Sequence, residues 1–367
     1  MMRWLGGVVL LVAPVMAPVM ASAMDGPQGH ASIGIARSAL HGTMVAVDLA
    51  HGNLMDRGIA ASVSAELRET GFGISADLGR AQMDTFALFG RAARPGYRIS
   101  YDQISWDDDA YRISELGAEA DLSFDMSPQL TLRAGLFARQ TDLGALGAGA
   151  SPHLIPDQGG AATLGAAFGL SYDARRDDRH GFKLAADIKI AGLGGDRNWT
   201  SAGITATALA PLGPRGRVRA QAMAGLLDSR DPGGAAIYER AVLSGDVLRG
   251  FATNGIGPRD TASGDRTALL GNRYLAALIE ASYPVVDLAA GRIDLGVFWS
   301  SGSLWSLDRV TGGAGPIDDS RRMRASAGLS VLWRTRAGTI ALHWANPYQR
   351  EEEDITQSLM LTFQQSF

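Results

Sequence analysis

The chain has 367 residues, room for two soluble domains or one large barrel, and its hydrophobic fraction of 46% is ordinary for a folded protein. A formal net charge of −4 argues against a general nucleic-acid binder. The absence of cysteine excludes disulfides, thiolate metal sites, a cysteine nucleophile and a lipidated N-terminal cysteine.

The first element is a leader. Arg3 supplies one positive charge, an apolar run extends from Leu5 to about Met20, and Ala21-Ser22-Ala23 follows as a small-x-small cleavage site. Residues 1–23 therefore read as a secretory signal peptide, with 24–367 as the mature domain. An uncleaved anchor is the alternative, and the small residues closing the run count against it.

Beyond the leader the apolar pattern has period two. In 59–68, Ile59, Ala61, Val63, Ala65 and Leu67 alternate with Ala60, Ser62, Ser64, Glu66 and Arg68. Leu130, Leu132 and Leu136 oppose Thr131, Arg133 and Arg139, and Phe182, Leu184 and Ile188 oppose Lys183, Asp187 and Lys189. Leu329, Val331 and Trp333 oppose Arg324, Ser330 and Arg334. Such alternation gives a strand one apolar and one polar face. In a soluble sandwich the apolar faces meet in a core; in a membrane barrel they face lipid while the polar faces line the lumen.

The segments run to about 10 residues or more, longer than the 5–6 of an ordinary soluble strand. The expected segments are 31–38, 43–52, 58–69, 71–82, 86–98, 110–124, 129–143, 161–176, 181–191, 199–210, 215–228, 268–283, 291–305, 320–334, 338–349 and 356–367. Connections alternate between short turns (53–57, 125–128, 177–180, 335–337) and longer loops (144–160, 229–267, 306–319). The expectation is an all-β fold, a 16-stranded antiparallel transmembrane β-barrel with both ends on the periplasmic side. Trp299, Trp305, Trp333, Trp344, Tyr283 and Tyr348 lie where aromatic girdles would.

In the C-terminal half the residues become specific. Leu248-Arg249-Gly250-Phe251 is followed by Asn254-Gly255-Ile256-Gly257-Pro258, and then by Gly271-Asn272-Arg273-Tyr274-Leu275 with Glu280. Phe298-Trp299-Ser300-Ser301-Gly302-Ser303-Leu304-Trp305, Tyr172-Asp173-Ala174-Arg175 and the first turn at Asn53-Leu54-Met55-Asp56-Arg57-Gly58 complete the pattern. Together these resemble the BamA/TamA-type outer-membrane assembly superfamily, the bacterial surface antigen family. The resemblance spans nearly all of 24–367 and is strongest from about residue 161.

The resemblance implies that the long loop folds back into the lumen and that Arg249 binds acidic groups on the wall. Glu280, on the polar face between Ile279 and Ala281, is the implied partner. Ser300 stands where the family has an Asp, so the second acceptor is a hydroxyl without charge. The family's periplasmic POTRA domains have no counterpart in the sequence, which puts catalysed insertion of other barrels in question. Leu361, Phe363 and Phe367 on the closing strand resemble the C-terminal assembly signal of outer-membrane barrels.

No catalytic, metal or cofactor motif stands out, so neither an enzyme nor a cofactor is expected. A hydrolase site using His41, His153 or His343 is the weak alternative. The acidic runs 107–109 and 351–354 read as solvated loop tips, ahead of a calcium site at the first. Three functions stay open. One is protein assembly or transport through a first–last strand seam, acting on client outer-membrane proteins. Another is a passive channel, and the third is a structural barrel working with a separate periplasmic subunit. Outer-membrane lipids would surround it in each case.

Overall fold

The computed structural model describes residues 29–38, 42–54, 59–80, 87–88, 91–106, 111–144, 146–313, 315–335 and 338–365. The leader call and Phe367 lie outside these residues, as do His41 and the acidic run 107–109. The fold is all-β. Its strands are β1 (Gly29–Ser38), β2 (Gly42–Leu54), β3 (Ile59–Arg68), β4 (Gly71–Arg80), β5 (Ala87–Leu88), β6 (Arg91–Trp106), β7 (Tyr111–Asp125) and β8 (Leu130–Leu143). They continue as β9 (Gly159–Asp173), β10 (Gly181–Gly195), β11 (Trp199–Leu212), β12 (Gly216–Ser229) and β13 (Arg273–Leu288). The last are β14 (Gly291–Trp305), β15 (Arg324–Arg334), β16 (Gly338–Gln349) and β17 (Leu359–Gln365).

Among the described residues these form one sheet of seventeen strands, where sixteen were expected. The difference arises at the segment expected over 86–98. There β5 is a two-residue piece paired with β6 at Ala87↔Ala92 and Leu88↔Arg91. The long strand runs on to Trp106, paired with β7 from Ala93↔Phe124 to Trp106↔Tyr111. The other long strands pair antiparallel with their sequence neighbours. The register of β1 on β2 runs unbroken from Gly29↔His51 to Ser38↔Gly42. At the other end of the order β17 pairs with β16 from Gly338↔Gln365 to Trp344↔Leu359. Among the described residues it meets β1 at one register pair, Arg37↔Phe363.

The two faces of the sheet are inverted relative to a soluble protein. Val47, Leu49, Val63, Leu67, Ile74, Ile99, Leu136, Val297 and Leu329 are exposed. Their alternating neighbours Ser64, Arg68, Asp77, Asp102, Glu280, Asp294 and Ser330 are buried. Buried charges survive by pairing across strands, as Arg98–Asp77 at 2.6 Å and Arg334–Asp294 at 2.7 Å do. No helix among the described residues is long and apolar enough to cross a membrane.

At the long-loop end the buried face turns apolar. Ile104, Trp106, Tyr111, Ile113 and Leu143 pack with Leu154 of a 3-10 turn (Pro152–Asp157) and with Ile237, Tyr238, Leu269 and Leu270. The loops 144–158, 230–272 and 306–323 share this core. It lacks any period in the loop sequence, because each loop contributes only a few residues.

Candidate functional site: a loop arginine pinned to the sheet

The loop 230–272 enters the buried face through Leu248-Arg249-Gly250-Phe251. Leu248 and Phe251 are fully buried and pack with Val247, Ile256, Tyr274 and Leu304. Gly250 has φ +94, and a Cβ there would lie 3.2 Å from Ala345 Cβ and from Ser326 Cβ. Its glycine identity thus follows both from the left-handed backbone and from the close wall. Gly250 and Phe251 also pair as a short ribbon with Gln357 and Thr356.

This seating delivers the Arg249 guanidinium to the wall. Nη1 lies 2.6 Å from Glu280 Oε1, and Nη2 is 3.4 Å from Oε2. The guanidinium carbon stands 4.7 Å over the Phe298 ring, a cation–π contact. Nη1 also donates to Ser330 Oγ at 3.3 Å, and Ser330 donates to Glu280 Oε1 at 2.7 Å. With that hydroxyl proton committed to Glu280, the 2.9 Å contact between Ser330 Oγ and His343 Nδ1 requires the proton on Nδ1. His343 packs edge-on against Phe298. Four strands, β13 to β16, therefore converge on one loop residue.

Ser300 takes a different part from the one its family position implies. Its hydroxyl faces the main-chain carbonyl of Arg249 at 3.4 Å, and lies 2.9 Å from Ser326 Oγ. Ser326 donates to the same carbonyl. Guanidinium and carbonyl of one residue are thus held separately, the first by Glu280 and Ser330, the second by Ser326 and Ser300.

Sequence reasoning brought Arg249 and Glu280 together but passed over Ser326 and Ser330. Both lie on the polar side of β15, and only strand register sets them beside β14 (Ser300↔Ser326, Gly296↔Ser330). Arg259, outside the motif core, is expected from sequence to matter little. It is buried, donates to Asn254 O and, at 2.5 Å, to Arg266 O. The run 351–354, expected as a solvated tip, supplies ion pairs: Arg324–Asp354 at 2.9 Å, Arg322–Glu351 at 3.2 Å and Arg266–Glu353. In the loop cap Arg197 clasps Glu239 at 2.8 and 2.7 Å. Burial pushes the Glu239 carboxyl above its ordinary range against the pull of Arg197.

His153 sits in the cap beside Ser151 and Gly313, and shares no partner with His343. No group of His, Asp or Glu suited to a metal occurs among the described residues. Of the girdle candidates, Trp299, Trp333, Trp344, Tyr283 and Tyr348 are on the exposed face, with Trp299 Nε1 donating to Tyr348 Oη at 2.9 Å. Trp305 departs from that expectation: it is half-buried at the loop end, with Arg321 5.3 Å over its ring. Leu361 is exposed, and Phe363 lies at the β17–β1 register pair.

An exposed apolar face, a buried charged face and a long loop seated against the latter define an outer-membrane β-barrel. The chain belongs to the Omp85 superfamily, whose domain model matches residues 53–367. It is 25% identical over 243 residues to the outer membrane protein assembly factor BamA of Neorickettsia risticii, covering 63% of this chain. It spans only 31% of that relative's length. Among solved structures it is similar to BamA from Haemophilus ducreyi lacking POTRA domains 1–3, with TM-score 0.76 and 17% identity over 92% of this chain and 70% of that one. It is also similar to CdiB from Escherichia coli, with TM-score 0.59 and 12% identity over 93% and 63% of the two chains. The protein is thus a BamA-like barrel of the bacterial outer membrane.

Proposed function

We propose that the mature domain, 24–367 after removal of 1–23, is a closed barrel of sixteen long strands that handles client polypeptides in assembly or translocation. In this reading the loop 230–272 occupies the lumen, held by Arg249. The exposed apolar band contacts outer-membrane lipid, and the β1–β17 junction is a seam able to part toward it. The observation carrying the proposal is the disparity of ladders among the described residues: one register pair joins β17 to β1, against ten between β1 and β2. An under-paired strand edge presents free N–H and C=O groups to an incoming strand. Similarity to BamA and CdiB supports a client that is itself a polypeptide.

The test is reconstitution of the purified protein in liposomes, followed by addition of a urea-unfolded outer-membrane barrel. Accelerated appearance of the heat-modifiable client is expected. Steady conductance without acceleration would favour the passive channel. Acceleration only after adding a subunit captured from native outer membranes would favour the barrel with a separate periplasmic partner.

A further inference from the structure

Two arginines of β12 stand without a carboxylate of their own to pair with among the described residues. Arg217 and Arg219 lie on one face of the strand, followed there by Gln221 and Met223, and both are half-buried. Arg217 Nη1 donates to the Asp178 carbonyl at 3.3 Å, and Arg219 Nη2 donates to Gln221 Oε1 at 2.6 Å. Among the described residues neither joins an ion pair. Register sets Arg219 beside Glu280 and Arg217 beside Ser282. Glu280 is already bound by Arg249 and Ser330.

The surrounding charges do not compensate. Arg334 and Arg292 share Asp294, at 2.7 and 2.8 Å. Arg175 and Lys183 share Asp173, at 2.6 and 3.9 Å. At Arg217 the repulsion from cationic Arg334 and Arg219 outweighs the attraction of Asp178 and Glu280. Arg215 and Asp287 neutralise each other outside this group, at 2.5 Å. All of these residues cluster at the short-turn end of the sheet, beside the turns 174–180, 213–215 and 289–290.

Crowded guanidiniums on a buried face are costly without anions, and a fork of donors suits carboxylates. Residues two apart on a strand repeat at about 6.6 Å. The same repeat separates side chains on one face of any extended peptide. We propose that Arg217 and Arg219 form an anion-binding site at the short-turn mouth, taking carboxylates at alternate positions of an extended acidic peptide. This rests on the polypeptide-client reading above and adds the chemistry that the mouth selects.

The probe is a labelled peptide of alternating Asp and Val, titrated by fluorescence anisotropy into the refolded full chain, with an Asn–Val peptide and inorganic phosphate as comparisons. The Asp peptide should bind, more tightly at low salt. Arg217→Gln/Arg219→Gln should weaken binding by about ten-fold or more, the effect of losing one charge-assisted hydrogen bond or several. Arg215→Gln should leave it unchanged. Equal binding of the Asn peptide, or wild-type affinity in the double variant, overturns the site. Displacement by phosphate well below the peptide's own concentration replaces a peptide site with a phosphate site and also overturns it. If the double variant does not become heat-modifiable, Arg217→Gln and Arg219→Gln are titrated singly; unchanged affinity in both overturns the proposal. Binding is read without any insertion or secretion assay. A failed seam test with peptide binding intact therefore sinks the seam and leaves the site.

Discussion

At the scale of residues, the structure ties one arginine to the wall by both its side chain and its main chain. Arg249→Ala leaves Glu280 buried with its carboxylate unmatched, and breaking such a pair costs about 3–5 kcal/mol. The expected result is a lower unfolding midpoint in detergent, read by heat modifiability. Arg249→Ala/Glu280→Ala should lose less than the two single variants together, because the orphaned charge is gone. Simple additivity would mean that the pair does not couple. Restoring the family acid with Ser300→Asp is expected from sequence to tighten the lock. The geometry reverses that expectation: Ser300 faces the Arg249 carbonyl in a fully buried slot shared with Ser326. A carboxylate there would oppose an oxygen, so Ser300→Asp should lower the midpoint. A raised midpoint would place the new acid on the guanidinium instead.

At the scale of elements, strands with one exposed apolar face were readable because period two shows in a single sequence. For β3, β8, β14 and β16 the expected bounds lie within one residue of the observed ones. The expected 268–283 is observed as Arg273–Leu288, and 86–98 as Arg91–Trp106. In both, the strand joins a loop that packs on it, so apolar residues such as Leu269, Ile104 and Trp106 are buried for reasons other than alternation. Loop contacts were the least readable part, since Arg259 meets carbonyls that no local pattern announces. From sequence alone Arg259→Ala should do little. The structure predicts otherwise: Asn254 O and Arg266 O lose their donor in a buried loop, at about 1–3 kcal/mol. Limited proteolysis of 230–272 should then proceed faster than in the wild type. An unchanged cleavage rate would show that the loop does not depend on this clasp.

At the scale of the whole molecule, the inverted faces make a claim about solvent. Val297 is 57% exposed in the middle of β14. On a water-facing surface Val297→Arg would be nearly neutral. On a lipid-facing one it should cost about 2–4 kcal/mol near the bilayer midplane. Folding titrations in liposomes measure the difference, and a neutral result would remove β14 from the lipid face. The proposed function requires β17 and β1 to part and admit a client. The chain has no cysteine of its own, so Arg37→Cys/Phe363→Cys places a single crosslink at their register pair. The decisive measurement is client folding in liposomes by this variant, oxidised and then reduced. Loss of activity on oxidation with recovery on reduction is the predicted result; equal activity in both states would contradict lateral opening.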